Sequence, residues 1–177
     1  MSFANTRIGK WAASLLVMVA GCNQDTRIEY QHNPTVHIES DHTLSRPELT
    51  PFTVDGVVVA PIFRMLTPQS TQVWLKLWTT SGKTVSARAA HLSGTGAQSA
   101  QSQQFPAEHT TTTEKKDAKG VQYGLILLGE LGNDVLASLA SDGSAKLMVE
   151  IRVSPAAEYR SLSFDITRHK TKQWATH

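Results

Sequence analysis

Residues 72–92 decide the fold class: Gln72-Val73-Trp74-Leu75-Lys76-Leu77-Trp78-Thr79, then Thr80-Ser81-Gly82-Lys83, then Thr84 through Leu92. Over 72–79, Val73, Leu75 and Leu77 occupy one set of alternate positions and Trp74, Lys76 and Trp78 the other. Successive side chains of a strand point to opposite faces, so this period of two marks a strand with a dry face. The next four residues are polar or small and include a glycine, which is turn composition. Thr84 to Leu92 then returns, and the pair reads as a β-hairpin.

Working outward, the same signal recurs on both sides. Val54 to Ala60 is β-branched and apolar, and Ile62 to Leu66 continues it past Pro61, a residue tolerated at a sheet edge or bulge but not in a central ladder. Ser93 to Gln104 is small and polar and is expected as a mobile loop. Glu108 to Glu114 contains four threonines and suits an exposed edge strand; Lys115 to Gly120 is a charged turn. Val121 to Leu128 is a nearly continuous apolar strand expected to be buried on both faces. Asn133 to Ala140 reads as a short helix, capped by Asn133 or Asp134, with Val135, Leu136, Leu139 and Ala140 on one side and Gly143 ending it. Ala145 to Val153 alternates cleanly. Ser154 to Glu158 turns, and Tyr159 to Thr167 returns with Leu162, Phe164 and Ile166 inward.

Seven or eight short strands with regular turns predict a mainly β fold: a two-layer antiparallel β-sandwich, immunoglobulin-like or transthyretin-like, with one short helix. The expected division is a leader over 1–21, a flexible tether over 22–51, the sandwich over 52–168 and a C-terminal tail over 169–177. The tether reading rests on polar composition, on Pro34, Pro47 and Pro51, and on the lack of a sustained period. As a coil, 23–51 would reach roughly 30 Å, and about 95 Å if pulled straight. The alternative is that Arg27 to Tyr30 or Thr35 to Ile38 adds an edge strand.

The leader itself begins with Arg7 and Lys10, continues through the apolar run Trp11 to Gly21 and closes on Val19-Ala20-Gly21-Cys22. This order of basic start, short apolar middle and small residues is that of an export signal. The apolar run would span roughly 16 Å as a helix against a hydrocarbon core of about 30 Å, too short to cross. Val19-Ala20-Gly21-Cys22 resembles the lipobox of bacterial lipoproteins. The resemblance implies cleavage before Cys22, a diacylglycerol thioether on its sulfur and further acylation of the new amino terminus. Two or more acyl chains hold a protein stably on a bilayer where one does not. Asn23, in place of the aspartate that resembles an inner-membrane retention signal, points to the outer membrane, facing the periplasm.

Charge and cysteine narrow the partners. Without Arg7 and Lys10 the 17 basic residues fall to 15, matching the 15 acidic ones. The chain carries no concentrated Lys/Arg cluster with interleaved aromatics, so nucleic acid is not an expected partner. Cys22 is the single cysteine, and lipidation would consume it, leaving stability to packing.

No pattern for catalysis or a cofactor stands out, and neither is expected. His32, His37 and His42 recur every five residues, which places neighbours on opposite faces of a strand and about 140° apart on a helix. Only a loop could gather them round a metal, with Glu39 or Asp41. His37 to His42 lacks the helical His-Glu-x-x-His spacing of zinc proteases, and Gly94-Thr95-Gly96 lacks the third glycine of a dinucleotide fingerprint. Trp74 and Trp78 form the most interesting pair: either core under a covered second face, or an exposed contact patch. The leading expectation is an interaction module for an envelope protein partner, within a secretion, conjugation or surface-assembly complex. The alternatives are a ligand- or effector-capturing lipoprotein, serving immunity, exclusion or metal binding, and a periplasmic hydrolase.

Overall fold

The computed structural model describes residues 24–33, 36, 38–95, 102–141 and 143–174. Two antiparallel sheets pack face to face. The six-stranded sheet runs β1 (Gln24–Asn33), β11 (Arg160–Trp174), β10 (Ser144–Val153), β5 (Thr84–Gly94) and β6 (Ser102–Phe105), with β7 (His109–Thr112) sharing the outer edge of β5. The five-stranded sheet runs β2 (Thr53–Val54), β3 (Val57–Thr67), β4 (Ser70–Thr79), β9 (Gln122–Gly132) and β8 (Lys115–Lys116).

Alternation builds the core. Val73, Leu75 and Leu77 of β4 and Ile126 and Leu128 of β9 face Leu147, Val149 and Ile151 of β10 and Phe164 and Ile166 of β11, all buried. Both sheets and both apolar clusters are made wholly from residues within 24–174. Pro61 sits where the sequence allows it: β2 pairs only with Val57 and Val58, so among the described residues β3 from Val59 onward has a ladder partner on one side alone.

The expected hairpin is corrected. β4 pairs with β3 and β9, whereas β5 pairs with β10, β6 and β7, so Thr80 to Lys83 carries the chain from one sheet to the other. Four residues reach about 13 Å, enough to bridge stacked sheets about 10 Å apart, so turn length does not separate the two outcomes. The crossing is stitched to a second one: Lys83 N–H donates to Thr113 Oγ1 and Thr113 N–H to the Lys83 carbonyl, each at 2.8 Å. Thr113, fully buried, links β7 of one sheet to β8 of the other.

Four further expectations change. The tether is replaced, over Gln24–Asn33, by edge strand β1 paired along its length with β11, and over 41–52 by two 3₁₀ turns, Asp41–Ser45 and Pro47–Phe52. The tail is strand as far as Trp174 for the same reason. The loop over 93–104 is framed by pairing of Ser93 with Ser102 and Leu92 with Gln103; residues 96–101 lie outside the described residues. β9 is dry on one face only, with Ile126 and Leu128 buried and Leu125 exposed.

The helix α1 (Asn133–Leu139) buries Leu136 and Leu139, leaves Val135 exposed, and has Gly132 at its N-cap. Asn133 is occupied elsewhere: Oδ1 accepts from Thr71 Oγ1 at 2.6 Å and Nδ2 donates to the Pro68 carbonyl at 2.9 Å. Nearby, β9 bulges against Val73 and Trp74, and Gly129 lies under the Phe105 ring, where an added Cβ would stand 2.6 Å from Cδ1. Phe105 is buried and has nowhere to retreat. Gly129→Ala is therefore expected to lower unfolding free energy by about 1–3 kcal/mol in urea titrations, an overpacking cost; an unchanged midpoint would refute the contact.

Candidate interaction surface

The outward face of the five-stranded sheet is laid out in rows by register. Val58, Trp78 and Tyr123 form one row, Ala60, Lys76 and Leu125 the next, and Ile62, Trp74 and Leu127 a third. Half of this face is covered. The segment ending in the two 3₁₀ turns lies across it, with Leu49 buried and Val36, Ile38 and Leu44 half-buried against Val58, Ala60, Trp78 and Val121. Local hydrogen bonds hold that strap in shape: Thr43 Oγ–H donates to the Ser40 carbonyl at 2.6 Å and Thr53 Oγ–H to the Leu49 carbonyl at 2.7 Å.

The two tryptophans thus part company. Trp78 is 6% exposed beneath the strap. Trp74 is half-buried on the open half, its indole N–H donating to Gln72 Oε1 at 3.0 Å, beside Ile62 at 38% and Leu125 at 37% exposure. Lys76 marks the boundary, its Nζ 5.0 Å from the Trp78 ring centre and 5.3 Å from that of Tyr123. Such cation–π contacts contribute on the order of 0.5–1 kcal/mol at exposed sites.

A groove of about 400 Å³ opens between β1 and β3, lined by Tyr30, Pro61, Phe63, Met65, Val36 and Trp78 among others. His32 reaches its floor. The imidazole stands edge-on to Phe52 at 4.6 Å and to Phe164 at 5.2 Å, and those two rings stack at 5.4 Å. Among the described residues, neither ring nitrogen meets a partner at hydrogen-bonding geometry. Burial pushes the His32 pKa below its usual value, and the backbone and carboxylate of Asp165 oppose this only in part. His42 lies at the surface beside Asp41 and Ser40, away from that aromatic nest, and His37 lies outside the described residues. Among the described residues no three His, Cys, Asp or Glu side chains gather as a metal site.

The sequence reading missed a cluster on the outer face of the other sheet. Arg88 Nε donates to Glu150 Oε2 at 2.8 Å and its guanidinium lies 3.8 Å over Tyr159; Arg152 flanks the same ring at 4.7 Å and stands 3.5 Å from Glu108. The Tyr159 hydroxyl donates to Glu108, which raises its pKa, with desolvation adding to the effect. Each guanidinium has its own carboxylate, so the cluster binds itself and leaves little field for a ligand. Residues 88, 108, 150, 152 and 159 carry no common period; pairing of β10 with β5 brings Arg88 beside Glu150 and Arg152, and Glu108 and Tyr159 arrive from just before β7 and β11, which pair with β5 and β10.

Val19, Ala20, Gly21 and Cys22 lie outside the described residues. Among the described residues no helix is long and apolar enough to cross a membrane. The sequence matches no protein-family model and no curated protein. It is similar to a solved structure, the crystal structure of a protein from Archaeoglobus fulgidus, at 12% identity over 67% of this chain and 96% of that one, with a TM-score of 0.32. A likeness that distant says nothing about function.

Two outcomes follow from burial. Trp78→Ala should cost about 3–5 kcal/mol of stability and Trp74→Ala about 1 kcal/mol or less, read from denaturant midpoints; equal costs would contradict the half-covered face. For His32, the depressed folded pKa means the unfolded chain takes up a proton as pH falls below about 6.5 while the folded chain resists. Tm should accordingly drop between pH 7 and pH 5, and His32→Phe should flatten that drop. A profile identical in the variant would remove His32 as its cause.

Proposed function

We propose that the chain is an outer-membrane-anchored lipoprotein whose periplasmic β-sandwich serves as an interaction module of an envelope complex, of secretion, conjugation or surface-assembly type. The order Arg7, Lys10, Trp11 to Gly21 and Val19-Ala20-Gly21-Cys22 supports export and lipidation. Asn23 supports the outer membrane. The observation that carries the interaction reading is the uncovered row of Ile62, Trp74 and Leu127 with exposed Leu125 beside it, on a face whose other half the chain covers itself. Contiguous apolar surface rimmed by polar groups, here Gln72, Lys76 and Glu130, is the composition of a contact site, and tryptophan is enriched at hot spots.

The groove between β1 and β3 favours a second reading, capture of one incoming ligand or effector, as an immunity or exclusion lipoprotein would require. The sequence offers no support for an enzyme, a resident cofactor or a nucleic-acid partner.

Photo-crosslinking in intact cells from position 62 or 125, read by mass spectrometry, separates the two. A multi-protein assembly lost in Trp74→Ala supports docking; one small ligand or toxin, retained in Trp74→Ala and lost when the groove is filled, supports capture. The anchor is tested separately: Cys22→Ser should leave the membrane fraction, and globomycin should cause a larger precursor to accumulate. A serine variant that still fractionates with lipid would refute the anchor.

A further inference from the structure

The groove between β1 and β3 touches both faces of the five-stranded sheet. Phe63, Met65 and Thr71 reach it from the inward side, and Ile62, Lys76 and Trp78 from the outward side. A hydrogen-bonded neighbour would keep those two faces apart, so the groove passes round a bare strand edge. That edge belongs to β3, whose ladder partner beyond Val58 is β4 alone among the described residues. On the opposite wall every residue from Ile28 to His32 contributes, and since successive side chains of a strand point to opposite faces, β1 also presents an edge there.

Free strand edges template further pairing, and proteins ordinarily guard them with charges, prolines, bulges or a covering segment. Val59, Ala60 and Pro61 are buried, but over 62–66 the guard lapses. Ile62, Met65 and Leu66 are 38%, 41% and 45% exposed, Phe63 is half-buried, and Arg64 is the sole charge. Five residues of strand run about 17 Å, an ordinary strand length. A strand added here would meet two environments in alternation. Its inward side chains would fall against Tyr30 and Phe63, whose ring centres lie 6.0 Å apart on the flank of the core. Its outward ones would lie beside Arg64, which is exposed and has no ion-pair partner among the described residues. The same arginine opposes a second copy of this chain as the occupant. Antiparallel self-pairing that overlaps all of 62–66 sets Arg64 directly against its own counterpart, and like charges so placed repel.

We infer that the free edge of β3 at 62–66 accepts an extended peptide segment of a protein partner, apolar at its inward positions and acidic at its outward ones. The inference rests on the reading of the body as an interaction module and adds how the partner is held. Main-chain hydrogen bonds supply affinity, and the surroundings of alternate side chains supply specificity. Ile62 belongs to this edge and to the uncovered row with Trp74, so the two surfaces are continuous.

The test uses residues 23–177, which contain every strand of both sheets, with a capped, fluorescein-labelled Val-Glu-Val-Glu-Val-Glu-Val peptide as probe, read by anisotropy. Binding should saturate, and hydrogen exchange over 62–66 should slow in the complex. A Val-Lys-Val-Lys-Val-Lys-Val peptide should bind about two- to tenfold more weakly, as an exposed attractive pair is traded for a repulsive one, and Arg64→Glu should reverse that order with an unchanged unfolding midpoint. N-methylation through the centre of the peptide should abolish binding, because it removes main-chain donors. No saturation by about 1 mM peptide, an order of affinities indifferent to Arg64→Glu, or undiminished binding of the N-methylated peptide would overturn the inference. So would an edge already protected by dimerisation of the protein itself. If the peptide fails while Trp74→Ala still dissolves the assembly in cells, the module stands without this edge; if the peptide binds and cells hold no assembly, the edge stands and the module reading falls.

Discussion

The structure depends on a single shared dry layer. Each sheet has one face that water must not reach, and neither could exist without the other. β4 and β10 show the constraint most plainly, burying every second residue from Thr71 to Leu77 and from Ala145 to Val153. With the single cysteine at position 22, no disulfide reinforces this layer. The two crossings, at 80–83 and at Thr113, follow from it, because a chain that must fill both sides of one core has to pass between sheets, and here the two passages hydrogen-bond to each other.

What could be read in advance tracks how strictly local pattern reports on distant neighbours. β4, β10, the first half of β11 and α1 were legible because their alternation, or the 3.6-residue period of Leu136 and Leu139, is set by burial on one side alone. The hairpin reading failed because Thr80-Ser81-Gly82-Lys83 is equally suited to a hairpin and to a corner, and only the partners of β4 and β5 distinguish them. β1 was legible only as the alternative edge strand over Arg27 to Tyr30, since its inward positions, Ile28, Tyr30 and His32, include just two apolar residues among polar neighbours. The apolar run of β9 overstated its burial because the composition of Leu125 and Leu127 does not say whether anything covers them. Trp74 and Trp78 stood out as a pair, yet their division into surface and interior depends on a strap returning from residues 36–52, a tertiary fact with no local mark.

That strap gives the five-stranded sheet two characters on one face. Beneath it, Trp78, Val58 and Leu49 form a second small core; beyond Lys76, the same row pattern continues without a cover. The aromatic nest of His32, Phe52 and Phe164 ties the strap's end and β1 into the main core.

The pairing of β1 with β11 also sets an order of events. A chain synthesised or threaded from its amino end delivers residues 24–33 first, but their ladder partner, 160–174, arrives after every other strand. Until then β1 has nothing to hydrogen-bond along its length, and the side of the nest that His32 fills stays open. The outermost strand is therefore the first of the described strands to be made and the last to find its ladder partner.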